Sequence, residues 1–137
     1  MTPAMFLLDT SVLLLHYFKA PGADRIHRII SDEKNSILVA SVSITELGRR
    51  LVATGCDPME ARASALSYAT LCERVVPIDT AASIRAFELG AASRTRIPLV
   101  DALIAACASI CDATLVHRDD HFLGIPADLL QQVDAAP

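Results

Sequence analysis

The feature that most restricts this chain is an alternation of short β-rich runs with segments of helical periodicity. Ala4-Met5-Phe6-Leu7-Leu8, Ser36-Ile37-Leu38-Val39-Ala40, Arg74-Val75-Val76-Pro77-Ile78 and Thr114-Leu115-Val116-His117 read as strands, with a weaker last one near Gln132-Val133. Helical patterns fill the gaps between the first four. Strands joined by helices need crossover connections, and crossovers produce a parallel sheet covered on both faces. The expected class is α/β, doubly wound. Pro77 places the third strand at a sheet edge, because proline cannot donate to a ladder.

With 137 residues, 53% of them hydrophobic, the chain has the size and apolar content of one domain with a full core. No repeat or low-complexity stretch divides it, so residues 1–137 are assigned to a single domain, 1–134 as core and 135–137 as a frayed tail. Ser11 is expected to cap a helix through about Phe18, closed by Ala20-Pro21-Gly22. Asp24 to about Asp32 reads as a second helix, with Ile26, Ile29 and Ile30 on one side. A third, capped by Ser41 or Ser43, presents Ile44, Leu47 and Leu51 and ends at Gly55. Asp57-Pro58-Met59-Glu60 is a cap followed by proline at the first helical position, starting a helix to about Cys72. Thr80 opens another, with Ile84, Phe87 and Ala91 expected inward. The basic linker Arg94-Thr95-Arg96-Ile97-Pro98 leads into the most apolar helix, Leu99 to about Ile110.

A net charge of −4 argues against a broad basic surface for duplex nucleic acid, which needs many phosphate-neutralising side chains. It leaves room for a local basic rim around a metal-loaded acidic centre, because the metal reverses the local charge. The apolar start of the chain carries Asp9 and no preceding positive residue, unlike a signal peptide or a membrane span. Cys56, Cys72, Cys107 and Cys111 form no C-x-x-C pair and read as small buried hydrophobes in a reducing compartment. The expected location is the cytoplasm, without membrane contact.

Asp9 sits where the first strand stops and a helical run begins, at the sheet edge where ligands of α/β proteins bind. An acid there also serves as a helix cap. Glu46 lies early in the helix after the second strand; pairing with Arg49 or Arg50, at i+3 and i+4, is the ordinary alternative to a functional role. Asp101 is the lone acid of a helix apolar nearly all round, and a buried carboxylate needs a partner, a cation or the helix dipole. Asp119 and Asp120 follow the fourth strand, where turns are commonly rich in Asp. Crossover topology carries Asp9, Glu46, Asp101 and Asp119 to one rim. Like charges gathered there repel unless a cation neutralises them, and an all-oxygen set suits Mg²⁺ or Mn²⁺.

Four stretches now stand out together: Leu7-Leu8-Asp9-Thr10-Ser11-Val12-Leu13, the serine–glutamate spacing ending at Glu46, Ile97-Pro98-Leu99-Val100-Asp101-Ala102-Leu103-Ile104-Ala105, and Leu115-Val116-His117-Arg118-Asp119 with Phe122. In this order, across essentially the whole length, they resemble the motifs of PIN-domain ribonucleases, and most of all the VapC-type toxins of bacterial toxin–antitoxin pairs. The resemblance implies a sheet of order 3-2-1-4-5, a homodimer, Mg²⁺-dependent cleavage of RNA (tRNA or rRNA) and inhibition by a cognate antitoxin. By position it makes Asp9, Glu46, Asp101 and Asp119 the catalytic and metal-holding quartet. Thr10 or Ser11 matches a hydroxyl that assists the metal shell, and Asp120 is a supporting neighbour. Members of the family often carry Thr or Ser where this chain has His117.

Arg49, Arg50, Arg94, Arg96 and Arg118 flank these motifs as candidate RNA contacts, with ordinary solvated charge as the alternative for each. Aromatic residues amount to 4% with no Trp, which leaves little for base stacking. The histidines show no metal-ligand spacing, and an imidazole ligand would point to a softer ion than Mg²⁺; structural or surface roles are expected for them. Other α/β readings fit poorly. A dehalogenase-type hydrolase wants a second Asp where Ser11 stands, and a receiver domain wants a late Lys, whereas Lys19 and Lys34 come early. The remaining alternative is a PIN-fold binding or regulatory module with little or no nuclease activity.

Overall fold

A computed structural model describes residues 4–135. Five parallel strands stand in the order β3-β2-β1-β4-β5. They are β1 (Met5–Leu8), β2 (Ser36–Ala40), β3 (Arg74–Val76), β4 (Thr114–His117) and β5 (Gln132–Asp134). The helices are α1 (Thr10–Tyr17), α2 (Ala23–Ser31), α3 (Ser41–Ala53), α4 (Pro58–Leu71), α5 (Thr80–Ala92) and α6 (Leu99–Ile110), with a 3₁₀ turn at Asp120–Gly124. The α/β class, the strand order and the edge position of β3 are as expected. β3 is shorter than its sequence run, since Pro77 and Ile78 fall outside it.

The strands divide their side chains by the period of two that a pleat imposes. Leu7, Leu38, Ala40 and Leu115 enter one core with α5 and α6, while Leu8, Ile37, Val39 and Val116 enter the other with α1 to α4. Burial on both faces explains why these strands read as continuous apolar runs. Register pairs Leu7 with Leu38 and Leu8 with Val116, so β1 lies central, hydrogen-bonded on both sides. Cys72 and Cys107 are buried, their thiols pushed up to about 11 and about 12 by desolvation, which leaves them unreactive. Among the described residues no helix is long and apolar enough to cross a membrane.

Four local expectations need correction. Asp9, not Ser11, caps α1, its carboxylate accepting from the Ser11 backbone N–H at 3.0 Å. Neither serine caps α3 through its side chain. Ser41 Oγ instead accepts from Ile78 N–H at 3.2 Å, and Ser43 is fully buried. The inward face of α5 is Ala82, Ala86 and Leu89; Ile84 and Phe87 are exposed at 57% and 73%. Small residues face α6 because they let the two helices approach closely, so the larger apolar side chains turn outward. Ala135, assigned to the frayed tail, is buried and its N–H donates to His117 O at 2.6 Å. The rest of that tail lies outside the described residues.

Gly124 closes the 3₁₀ turn against the linker before α6. A Cβ there would overlap Thr95 Oγ1, come within 2.8 Å of Ser93 Oγ and stand 3.0 Å from the Thr95 backbone nitrogen. The Gly124 carbonyl accepts from Arg94 N–H at 2.9 Å. We expect Gly124→Ala to cost about 1–3 kcal/mol, the usual range for overpacking, read as a lower midpoint in urea. An unchanged midpoint would show that the linker yields freely.

Candidate active site

Sheet order sets the position of the site. The chain runs outward from β1 through β2 to β3, then returns to place β4 on the other side of β1. This reversal opens a crevice at the carboxyl ends of β1 and β4. Asp9 follows β1 and Asp119 follows β4, so these two acids flank the switch point. Glu46 stands in the early turns of α3, which leaves the same edge from β2. Asp101 lies in the first turn of α6, whose far end feeds β4, so its N-terminus opens on this rim. The charges of Asp101 and Glu46 reach Asp9, and those of Asp119 and Glu46 reach Asp101, so the four acids lie within electrostatic range of one another.

Asp9 is held most tightly, at 3% exposure. Its N–H donates to Val116 O at 2.9 Å, tying it to β4. Ser11 gives both its backbone N–H and its hydroxyl to Asp9 Oδ2. The same Ser11 oxygen accepts from Arg118 N–H at 3.0 Å, so one hydroxyl couples the first acid to the loop of the fourth. Asp9 Oδ1 is buried without a hydrogen-bond partner in the described structure. Burial pushes the Asp9 carboxyl up to about 6; the charges of Asp101 and Glu46 add to this, and the Ser11 hydrogen bonds oppose it. Thr10 Oγ1 is likewise buried and unpartnered.

His117 accounts for the geometry of the fourth acid. It is fully buried, with its ring 4.9 Å from that of Phe122. Its Nδ1 accepts from Asp119 N–H at 3.1 Å, so the neutral ring carries its proton on Nε2 and donates to Gln132 Oε1 at 2.8 Å. Gln132 Nε2 then donates to Phe122 O at 2.9 Å. Both ring nitrogens of His117 and both amide atoms of Gln132 are thus paired, and a satisfied buried network of this kind is rigid. The departure at His117 therefore anchors the loop that carries Asp119.

His121 is the residue that sequence reasoning set aside. Its Nδ1 lies 2.7 Å from Asp101 Oδ2 and 3.0 Å from Asp119 Oδ1. The hydrogen bond to Asp101 raises the imidazole above its usual value, and the charge of Asp119 adds to that. Asp101 is itself raised, by burial first, against the lowering effect of His121. Together these three residues offer a nitrogen and two carboxylate oxygens within 4.8 Å of one another. A histidine two places after a strand-ending Asp was the available signal; only the fold shows that it reaches Asp101.

The remaining candidates separate. Glu46 pairs with neither Arg49 nor Arg50 among the described residues, and all three line a cleft of about 320 Å³ with Val100. Asp120 is exposed in the 3₁₀ turn. Arg118 is exposed and reaches Pro21 O at 3.4 Å. Arg94 and Arg96 are exposed on the linker, Arg96 beside the groove between α5 and α6.

An acid-lined crevice at the switch point of a three-layer parallel sandwich marks a class of α/β domain suited to holding a divalent cation. The model of the PIN domain matches residues 6–127, and the chain belongs to that family. The fold is similar to that of VapBC from Salmonella typhimurium bound to DNA, with TM-score 0.75 and 19% identity over 97% of this chain and 99% of that one. VapBC2 from Rickettsia felis, bound to a DNA fragment of its promoter, gives 0.73 and 20% over 95% and 98%. VapC20 of Mycobacterium tuberculosis, a sarcin–ricin-loop-cleaving toxin, gives 0.69 and 16% over 88% and 96%. A search of curated proteins finds no match.

Burial of Asp9 makes stability depend on pH. Its folded-state carboxyl titrates near 6 against an ordinary 3.8, so the folded protein binds the proton more tightly than the unfolded chain. The stability contributed by Asp9 is thus fully present below 3.8 and lost as pH rises through 6, a difference on the order of 3 kcal/mol. Without added metal, Asp9→Asn is expected to melt several degrees above the parent at pH 7.5, with the gap closing toward pH 4. A variant that melts below the parent at pH 7.5 would contradict this.

Proposed function

We propose that the protein is a divalent-cation-dependent ribonuclease that acts as the toxin of a toxin–antitoxin pair. The observation that carries this reading is the buried Asp9 carboxylate, one oxygen unpartnered and its titration raised, beside two further acids. A carboxylate left in that state is costly, and a cation in the crevice would relieve both the desolvation and the mutual repulsion of the acids. Asp9, Glu46, Asp101 and Asp119 form the donor set, an oxygen-rich one that fits Mg²⁺ or Mn²⁺. Such an ion, when bound, stabilises charge on a phosphoryl oxygen and lowers the pKa of a bound water.

The chain's own residues divide the remaining work. Glu46 or Asp119, both only partly buried, orients the attacking water and accepts its proton. Ser11 holds Asp9 in one orientation, and His117 does the same for the Asp119 loop through its backbone. Arg49 and Arg50, in the cleft beside Glu46, are placed to meet RNA phosphates, with Arg118, Arg94 and Arg96 as outer contacts. Thr10, whose hydroxyl is buried and unpartnered, stands beside Asp9 as the hydroxyl that assists the metal shell, and Asp120 is a supporting neighbour in the exposed turn. The RNA is a structured cytoplasmic one, tRNA or rRNA; the similarity to a sarcin–ricin-loop-cleaving toxin supports an rRNA target.

Partner surfaces follow from what the fold leaves uncovered. Similar structures are toxin–antitoxin complexes, which supports a cognate antitoxin as partner. A cleft of about 620 Å³ between α3 and α4, lined by Ile44, Gly48, Val52, Ala61, Ala65 and Leu66, has the apolar floor that a partner helix needs. On the opposite face, Ile84, Phe87 and Leu99 are 57%, 73% and 75% exposed, large for side chains meant to stay in water. This is the face we assign to a homodimer. Phe87→Glu is expected to convert a dimer to a monomer in sedimentation velocity, whereas an unchanged sedimentation coefficient would remove α5 from the interface.

The purified protein is expected to cut structured RNA with Mg²⁺ or Mn²⁺ and to lose this in excess EDTA. Asp9→Asn should lower the rate by at least a hundredfold while remaining folded. Cleavage that survives EDTA, or that Asp9→Asn leaves intact, would refute the reading. Induced expression should arrest growth, and co-expression of the neighbouring small reading frame should relieve the arrest.

A further inference from the structure

We propose that His121 is a nitrogen ligand of the cation site, binding through Nδ1 beside Asp101 and Asp119, and that it turns the site toward a first-row transition ion such as Mn²⁺ over Mg²⁺. The inference rests on the metal-site reading above and concerns what one residue adds to it. Nδ1 faces two carboxylate oxygens at once, at 2.7 Å and 3.0 Å. Ligand atoms sharing an octahedral ion at bonds of about 2.1 Å stand about 3 Å apart, so Nδ1 already has that spacing from each of the two oxygens, and all three atoms lie within 4.8 Å of one another. The ring needs no large movement to exchange its proton for a metal.

Two further observations point the same way. Asp9 lies next to this cluster, deeply buried, with Oδ1 lacking any partner, so the crevice has an unmet demand for positive charge that His121 alone does not supply. The backbone of His121 is also fixed, because its N–H donates to Asp119 Oδ1 at 3.0 Å, which keeps the ring beside the Asp119 carboxylate. His117 in turn anchors Asp119 from beneath, so a rigid base carries the cluster. The ring edge away from the acids is open, with the side chain 49% exposed. A mixed nitrogen and oxygen set binds Mn²⁺, Co²⁺ and Zn²⁺ in preference to Mg²⁺, because imidazole is a poor ligand for the harder ion.

Calorimetric titration of the intact protein with Mn²⁺ and with Mg²⁺, in the absence of RNA, tests this. The parent should bind Mn²⁺ at least tenfold more tightly than Mg²⁺. His121→Asn should weaken Mn²⁺ by roughly tenfold or more and Mg²⁺ by less than about threefold. Electron spin-echo modulation of bound Mn²⁺ should show a directly coordinated nitrogen in the parent and none in His121→Asn. His121→Gln gives a second variant, and melting curves confirm that both are folded. Mn²⁺ binding that needs Asp101 but shows no nitrogen coupling would overturn the role of His121 and leave the acidic site standing. Tighter Mn²⁺ binding in His121→Asn would also overturn it, marking the ring as a competing cation. Mn²⁺ binding that is absent, or unaffected by Asp101→Asn, would remove both this inference and the site reading beneath it.

Discussion

The site depends on a carboxylate held out of water with only half of its hydrogen-bonding capacity met. Asp9 is buried where the central strand β1 passes directly into α1. What makes that tolerable is local: the backbone N–H and hydroxyl of Ser11 on one oxygen, and the N-terminus of α1 behind both. The other oxygen has no hydrogen-bond partner among the described residues. A cap alone would not need this arrangement, since capping groups elsewhere in the protein, such as Asp57, stand exposed at no such cost. Stability is thus conceded at the point where charge is required, a pattern familiar at functional sites.

Neighbouring acids are positioned by connections that cross between elements. Ser11 joins the end of β1 to Arg118 after β4, and His117 joins β4 to β5 through Gln132. Gly124 packs the 3₁₀ turn onto the linker that starts α6, so the loops of Asp119 and Asp101 are braced against each other. Three contacts that are each modest in energy therefore hold three acids in fixed relation. His121 closes the circuit by touching two of them.

The outer surface follows a different logic. Where α5 meets α6 the facing residues are small, and the bulky apolar side chains of α5 are turned to solvent. A close helix pair can be built from alanines, but exposed Phe87 and Leu99 gain nothing from folding of the single chain. Such a surface is understandable when another copy covers it. The cleft between α3 and α4 lies on the other core, so two partners could be accommodated without competing for one face.

Much of the fold was legible in the residues, because burial on both sides of a parallel sheet leaves continuous apolar runs and helices leave their periodicity. Strand positions, the edge character of β3, the start of α4 at Asp57 and the four acids with their common rim can all be read that way. Hydrophobic spacing failed on α5, since periodicity names two possible faces and only packing against α6 chooses between them. It also misplaced the cap of α1: Asp9 and Ser11 are both good caps, and the local hydrogen bond from Ser11 N–H to the Asp9 carboxylate decides for Asp9. The site residues that contact each other across the chain were beyond the sequence. His121 meets Asp101, and His117 meets Gln132, only after crossover connections bring separate strands side by side. Local physical chemistry determined which residues could carry charge at the sheet edge; the tertiary structure decided which of them meet, because proximity between distant segments is set by topology and by no single residue's preference.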